Sequence, residues 1–182
     1  KELNIFMDNR KPLFNKYSFD GDNRKKLPKD IKIPPTLAYE NEFIKEALSY
    51  CKKFKSVGIC ENFYYPTTFD EASLQLDYFL KEKFENFGSF QDAITKDIKQ
   101  NFLFHSNISS SLNIGLLDLN ELINKIVNFD APYNAKEGFI RQIIGWREFM
   151  LRVYEDDGVA LRNSNFFEFS NPMPKKILDA RS

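Results

Sequence analysis

The sequence predicts an all-α fold, and three observations support this prediction. Apolar residues recur at three- and four-residue spacing along several segments, which is the period of an amphipathic helix. No segment shows the strong alternation of apolar and polar residues that a strand would show. At three places a residue that can cap a helix stands three positions before a glutamate, a pattern typical of helix N-termini. These pairs are Thr68 with Glu71, Asp118 with Glu121, and Asn134 with Glu137.

The composition is that of one domain, or of one domain with a connecting arm. The chain has 182 residues, of which 42% are hydrophobic, so a sizeable core can be buried. Its 26 basic and 26 acidic residues cancel. This balance excludes attraction to nucleic acid through net charge, so any DNA contact needs a local patch. The chain begins at Lys1 rather than at methionine, and we expect it to be a piece of a longer protein.

Residues 1–35 have the composition of an arm or interdomain linker. The segment is rich in charged side chains and poor in aliphatic ones, and Pro28, Pro34 and Pro35 interrupt regular structure. A solvated linker and a basic tail that touches phosphate both fit this composition. We assign residues 36–182 to the helical domain.

Helical periodicity covers three segments in the first half of the chain. The first begins at Thr36 and reaches Cys51, the second runs from the Thr68 cap to Gly88, and a shorter one spans 90–98. The second segment has a continuous apolar stripe. It consists of Ala72, Leu76, Phe79, Leu80, Phe84 and Phe87.

Residues 137–154 predict a helix that is too apolar for a solvated surface and too charged for a plain core. One stripe of this helix is mostly charged, and it consists of Glu137, Arg141, Gly145, Glu148 and Arg152. In two places of this stripe an acidic residue stands four positions before a basic one. This spacing predicts two ion pairs on a solvated face. Gly145 indicates a covered surface instead, because glycine inside an exposed helix costs about 1 kcal/mol relative to alanine. A close backbone or a flat ligand would explain it.

The other side of the same helix is broad and apolar. It consists of Phe139, Ile143, Trp146, Phe149, Met150 and Val153. Arg147 lies beside aliphatic neighbours, so we expect a half-buried guanidinium that needs an anionic partner. That partner is either a carboxylate such as Glu148, in a structural ion pair, or a ligand anion such as phosphate. Trp146 is either a core side chain or a stacking platform.

Residues 105–117, with the sequence HSNISSSLNIGLL, form a serine-rich segment ahead of a helix start. Free backbone N–H groups at such a start, together with hydroxyls, can bind an anion. Ordinary helix capping by serine or asparagine is the alternative. The chain lacks a glycine-rich phosphate loop, which leaves a P-loop or Rossmann site without support. The one histidine, His105, stands directly beside Ser106, which does not favour a Ser–His triad.

The cysteine and histidine content argues against a metal site. Two cysteines, Cys51 and Cys60, and one histidine cannot form a four-ligand zinc site or a disulfide framework. We therefore predict no metal ligands in this chain, and buried thiols in a reducing, cytoplasmic compartment. The sequence has no signal-peptide pattern and no apolar run near the ~20 residues of a membrane span.

Five segments, occurring in family order, resemble the photolyase–cryptochrome family, and in particular its prokaryotic iron–sulfur branch. They are residues 16–28, 65–72, 87–93, 105–117 and 137–149, and the last, EGFIRQIIGWREF, is the most specific. The resemblance covers roughly residues 4 to 174. Gly145 departs from the commoner photolyase spacing by one added residue, which shifts the register of a helix by about 100°. Phe90 stands where relatives often have tyrosine.

The resemblance implies a helical FAD-binding domain, preceded by an interdomain linker and by an α/β antenna domain that this chain lacks. The residues implied for FAD are of two kinds, a group at the pyrophosphate and a pair that faces the flavin. They are Ser106, Asn107, Ile108 and Ser109, and Arg141 and Gln142. The residues implied for contact with the damaged DNA strand are Trp146 and Arg147.

The implied reaction is light-driven electron transfer from reduced FAD into a pyrimidine lesion of UV-damaged DNA, either a cyclobutane dimer or a (6-4) product. A 4Fe–4S cluster is implied for the full-length protein, but its cysteine ligands are not in this chain. We expect the C-terminal helical portion, with half of the flavin pocket, to lie outside it as well. Two alternatives are a cryptochrome-like blue-light sensor without repair activity and a helical structural or interaction domain without flavin.

Overall fold

A computed structural model describes residues 6–8, 11–54, 63–97, 100 and 102–179, and it confirms the all-α prediction. The helices of these residues are α1 (Glu42–Cys51), α2 (Phe69–Tyr78), α3 (Phe84–Phe87), α4 (Ser109–Asn113), α5 (Leu119–Asn128), α6 (Tyr133–Ile140), α7 (Trp146–Asn163) and α8 (Lys175–Leu178). Two π-helical turns, Phe79–Lys83 and Arg141–Gly145, join α2 to α3 and α6 to α7. A two-residue antiparallel ribbon pairs β1 (Met7–Asp8) with β2 (Lys11–Pro12).

Helix α2 begins where the sequence predicts, at a capping box. The Thr68 hydroxyl accepts a hydrogen bond from the Glu71 N–H, and the Glu71 carboxylate accepts one from the Thr68 N–H, both at 3.2 Å. Glu71 also accepts from the Asn41 amide at 3.1 Å, and Asn41 itself caps α1. The two helix starts are therefore joined. Helix α1 begins after this cap and not at Thr36, as the periodicity predicted.

The core is built around four phenylalanine rings, which we call the phenylalanine cluster. Phe79, Phe84 and Phe87 lie on the predicted stripe, Phe139 comes from α6, and all four are between 0% and 4% exposed. Phe79 and Phe139 stack with their centroids 4.9 Å apart. Burial of one such side chain stabilises the fold by about 1.5–3 kcal/mol. The cluster is therefore a principal attachment between the α2–α3 run and α6.

Helix α5 closes the core from another side. The Asp118 carboxylate caps it, as predicted, by accepting hydrogen bonds from the N–H groups of Asn120 and Glu121 at 2.8 and 2.9 Å. Leu122 and Ile126, one turn apart, are 1% and 0% exposed. The apolar side chains that recur at helical spacing in this segment thus face the core.

Gly88 lies where the end of α3 meets the start of α6. A Cβ atom at this position would stand 2.5 Å from the backbone nitrogen of Ala135 and 2.6 Å from its Cα. Because those atoms belong to backbone, no side-chain rotation can relieve the overlap. Glycine is therefore required here by the approach of two helices, in addition to ending the predicted stripe.

The predicted 137–154 helix is continuous, but it contains the π-helical turn Arg141–Gly145. A π turn holds one more residue than an α turn, so residues before and after it do not share one stripe. The predicted ion pair between Glu148 and Arg152 is wrong, because Arg152 binds Glu155 at 3.2 Å instead.

Residues 19–25 of the predicted linker pack against α6 and the turn after α3. The Phe19 N–H donates to the Glu137 carboxylate, and Arg141 forms an ion pair with Asp20 at 3.3 Å. The predicted ion pair between Glu137 and Arg141 is therefore wrong, since this segment takes both side chains. The boundary at residue 35 stays a prediction.

The predicted helix cap at Asn134 is also wrong. Helix α6 begins at Tyr133, after Pro132, and has no side-chain cap. The Asn134 amide instead donates to the side chain of Asn23 at 3.1 Å, and Asn23 is only 2% exposed. A contact with a residue more than 100 positions away thus replaces the local one.

Three further expectations concern the remaining segments. The described residues 90–97 form a turn and irregular chain rather than a helix. Cys51, expected to be buried, is exposed, and Cys60 lies outside the described residues. Among the helices that the structure describes, none has the length and apolarity needed to cross a membrane.

Helix α7 and residues 164–179 contain no buried side chain. The predicted apolar face is buried only at Phe139 and Ile143, before α7 begins. Trp146, Phe149 and Met150 are 57% to 61% exposed, so the core interpretation of Trp146 is wrong. Large apolar side chains that are exposed together on one helix are typical of a surface that binds something.

Substitution of Gly88 by alanine tests the close approach of α3 and α6. We expect Gly88→Ala to lower the free energy of unfolding by about 1–3 kcal/mol, because the new methyl group must displace backbone. Gly21→Ala is the matched control, since a Cβ there has nothing within 4 Å. Urea denaturation measures both. Equal unfolding free energies for the two variants would contradict the packing argument.

Candidate functional site

The serine-rich segment turns sharply before the short helix α4. Asn107 has a φ of 55°, in the left-handed region that asparagine tolerates better than most residues. Ile108 stands at the N-cap of α4 and makes no side-chain hydrogen bond to it, so capping by serine or asparagine does not explain the segment. The hydroxyls of Ser110 and Ser111 are buried, with no hydrogen-bond partner among the described residues.

Gln75 of α2 holds the serine-rich segment from behind. Its side-chain N–H groups donate to the carbonyl oxygens of Ser106 and Asn107 at 2.8 and 3.2 Å. Its own carbonyl accepts from the Tyr39 hydroxyl at 2.7 Å. The segment is therefore fixed to α2 through its backbone.

The serine-rich segment and the region around the start of α7 line one groove of about 780 Å³. Rings of the phenylalanine cluster, Phe87 and Phe139, form part of its apolar surface. A concave site of this size, apolar with a few polar groups, suits a cofactor or another small ligand. Six of the eight predicted site residues line it. They are Ser106, Ile108, Ser109, Gln142, Trp146 and Arg147.

The other two predicted site residues lie outside the groove. Asn107 borders a narrow crevice behind the serine-rich segment. Arg141 borders a neighbouring depression of about 690 Å³ together with Gly145, and it is held by Asp20. A Cβ at Gly145 would meet nothing within 4 Å, so no backbone of the described chain approaches this glycine.

Arg147 is half-buried, as predicted, and its guanidinium is held by neutral acceptors. It donates to the carbonyl oxygen of Ile143 at 2.9 Å and to the side-chain oxygen of Asn113 at 3.2 Å. Within the described part of the chain, no carboxylate lies within 4.0 Å of it, so the structural ion pair is not observed. The positive charge is therefore available to an anion in the groove.

Gln142 and Trp146 are joined across one turn of the helix. The indole N–H of Trp146 donates to the side-chain oxygen of Gln142 at 2.8 Å. An indole N–H can only donate, so this bond fixes which end of the Gln142 amide is the oxygen. The Gln142 NH₂ group makes no hydrogen bond to the other described residues and can donate to a ligand.

Comparisons with known proteins give the same family that the motifs resemble. The model of the family "deoxyribodipyrimidine photo-lyase-related protein" matches residues 1–65. A (6-4) photolyase from Agrobacterium fabrum is 34% identical over 182 aligned positions, which cover 96% of this chain and 35% of that protein. The chain is thus similar to a (6-4) photolyase over most of its own length, and it spans little more than a third of that protein. An uncharacterized protein from Acanthamoeba polyphaga mimivirus is 38% identical over 71 positions, which cover 36% of this chain and 52% of that protein.

The π turn contains Gly145, the residue that departs from the commoner photolyase spacing. A π turn takes up one added residue while the helix continues, so Gly145 does not disrupt the helix on either side. Gln142, Trp146 and Arg147 consequently reach the same groove, and Arg141 does not. The structure thus shows which side chains on either side of Gly145 line the groove, while their roles stay predictions.

Three polar residues of the groove lie in segments that the sequence analysis noted, but were not predicted as site residues. Asn113 binds Arg147 from 34 positions away, and Gln91 and Asp92 come from the turn after α3. Asn113 lies inside the serine-rich segment, so the sequence flagged its neighbourhood but not its role. No local pattern identifies a partner at that separation.

Two further titratable groups lie behind the serine-rich segment. Burial lowers the pKa of Lys83 to about 8, and this side chain is only 3% exposed and has no ion-pair partner among the described residues. Burial, and then the charge of Lys83, lower the pKa of His105, which favours the neutral imidazole. His105 borders both the crevice and the groove.

The described part of the chain has no cluster of side chains suited to a metal ion. No group of three or more His, Cys, Asp or Glu side chains there could hold a metal ion.

Replacement of Lys83 by methionine tests the cost of this buried charge. The unfolded chain keeps the Lys83 proton up to pH 10.5, whereas the folded chain releases it near pH 8. The destabilisation is therefore complete below pH 8 and fades as the pH rises towards 10.5. We expect Lys83→Met to raise the free energy of unfolding at pH 7 by on the order of 2 kcal/mol.

The gain from Lys83→Met should shrink when denaturation is repeated at pH 9.5. Lys81→Met, at an exposed position of the same π turn, is the control and should change stability little at either pH. A gain that is equal at both pH values would contradict a charge effect.

Proposed function

We propose that this chain is part of a light-dependent, FAD-containing DNA photolyase that repairs UV-induced pyrimidine lesions of the (6-4) type. The observation that carries the proposal is the convergence of the serine-rich segment, Trp146 and Arg147 on one groove. The lesion type is taken from the name of the Agrobacterium relative. This chain spans 35% of the length of that protein.

Two hydroxyl donors of the groove support flavin binding. Ser106 and Ser109 lie there beside apolar surface. We propose that residues 106–109 surround the FAD pyrophosphate, with Asn107 providing the turn. Gln142 donates to the flavin through its unused NH₂ group. We propose that Arg141 serves the same cofactor from the neighbouring depression, where its ion pair with Asp20 is exposed.

Trp146 and Arg147 are proposed to meet the damaged DNA strand. The 61% exposed indole ring offers a flat face for stacking with a flipped-out base. Arg147 supplies a positive charge for a phosphate, which a chain with no net charge must provide locally. In photolyases, light-excited reduced flavin supplies the electron that splits the lesion. The residues of this chain bind and orient the two reactants.

Further parts of a photolyase are proposed to lie outside this chain. The family branch implies a 4Fe–4S cluster, which takes four cysteine ligands, and the chain has two cysteines, of which Cys51 is exposed. These residues do not fit such a cluster. We propose that the cluster ligands, the antenna domain and the rest of the flavin pocket belong to the full-length protein. Residues 1–35 then link the domains, and 36–182 begin the FAD-binding domain.

The absorption spectrum of the purified full-length protein tests flavin binding directly. We expect bound flavin with its visible blue band, and blue-light repair of oligonucleotides that carry a (6-4) product. Oligonucleotides with a cyclobutane dimer are the matched substrate control. A folded protein without flavin would refute the proposal. A flavin-containing protein without repair of either lesion would indicate the photosensor alternative.

Substitution of Arg147 separates DNA binding from flavin binding. We expect Arg147→Ala in the full-length protein to weaken binding of lesion-containing DNA about 10-fold, because one charge-assisted hydrogen bond is lost. Arg152→Ala is the control, since Arg152 is exposed on the same helix and pairs with Glu155.

Three measurements on these variants identify the role of Arg147. Titrations with lesion DNA and with FAD give the two dissociation constants, and thermal unfolding gives stability. Weaker FAD binding with unchanged DNA binding would assign Arg147 to the flavin phosphates instead. A loss of stability as large as the loss of binding would indicate a structural role.

A further inference from the structure

Every hydrogen-bonding group of the Gln75 side-chain amide has a partner, either in the serine-rich segment or in Tyr39. It is 5% exposed, and both of its N–H donors bind consecutive carbonyl oxygens, those of Ser106 and Asn107. Its oxygen accepts from Tyr39, and burial raises the pKa of that hydroxyl to about 12, so it remains a donor at neutral pH. The amide can take only this orientation, because carbonyls accept and the hydroxyl donates into the remaining oxygen.

The two carbonyl bonds determine where the neighbouring N–H groups point. In a trans peptide, the C=O and the N–H of one peptide unit point in opposite directions, and the described chain has no cis peptide. With the oxygens of Ser106 and Asn107 directed at α2, the N–H groups of Asn107 and Ile108 point away from α2. Neither N–H has an acceptor among the described residues.

The backbone conformation at these residues places a left-handed residue directly before a right-handed one. Asn107 is left-handed with φ 55°, and Ile108 follows with φ −95° and ψ 0°. Left-handed and right-handed residues in succession direct neighbouring N–H groups to one side, an arrangement that binds anions. The side chains of Ser106, Ile108 and Ser109 line the groove next to it.

We propose that Gln75 is a positioning residue for a phosphate-type anion: it turns the N–H groups of Asn107 and Ile108 towards the groove and holds them there. This inference rests on the proposed function, in which the anion is the pyrophosphate of FAD. Gln75 acts through the backbone of the serine-rich segment and does not touch the ligand. Tyr39 supports it by fixing the orientation of the amide.

The test compares FAD with riboflavin, which has the same ring system and no phosphate. Gln75→Met keeps the length and volume of the side chain and removes both donors. In the full-length protein we expect it to raise the Kd of FAD on the order of 10-fold. The Kd of riboflavin should stay within about twofold, because the ring does not use the serine-rich segment. Tyr39→Phe should show a smaller loss of the same kind, about threefold.

Equal weakening of FAD and riboflavin by Gln75→Met would overturn the inference, since it would indicate a general structural role. Unchanged FAD binding would overturn it as well. Tyr39→Phe keeps the test decisive if Gln75→Met does not fold, because it removes only one distal hydroxyl.

Calorimetry with inorganic pyrophosphate separates this inference from the proposed function. We expect wild-type protein to bind pyrophosphate, and the Gln75→Met variant to bind it about 10-fold more weakly. If pyrophosphate binding depends on Gln75 but the protein has no affinity for flavin, the proposed function is refuted and the positioning role is supported. Pyrophosphate binding that is the same in both proteins would refute the positioning role alone.

Discussion

The ring stack between Phe79 and Phe139 is the contact on which the geometry of the groove depends. Phe79 follows α2, which carries Gln75 and through it the serine-rich segment. Phe139 lies on α6, which continues through the π turn to Trp146 and Arg147. Because the stack fixes these two runs to each other, it also sets the distance between the two sets of site residues. Packing in the core therefore determines the geometry of the candidate site.

The positive charge of Arg147 in the groove has neutral hydrogen-bond acceptors and no carboxylate partner among the described residues. Its guanidinium donates to the backbone carbonyl of Ile143 and to the side chain of Asn113. Such charges cost stability when they are not compensated. Their cost is tolerable where an anionic ligand provides the compensation on binding. Net charge, which is zero, therefore says little about the local field in this groove.

Local features were predictable from the sequence, and distant contacts were not. The cap at Thr68 and the half-buried state of Arg147 follow from spacing within a few residues, and both are observed. The predicted cap at Asn134 failed because a distant residue, Asn23, takes its amide. The partner of Arg147 was missed because Asn113 is 34 positions away. The motifs thus located the site, while tertiary contacts decided how each side chain is held.

The ion pair between Asp20 and Arg141 joins the predicted linker to the helix that enters the site. Arg141 is exposed in the depression next to the groove, and the pair is 3.3 Å long. Binding equilibria that share a residue are thermodynamically linked, and the linkage is reciprocal. An anion that draws Arg141 away from Asp20 must therefore loosen residues 19–25 from α6. By the same amount, a firmly held linker weakens the binding of that anion at Arg141. The anion affinity therefore depends on how firmly residues 19–25 are attached to α6.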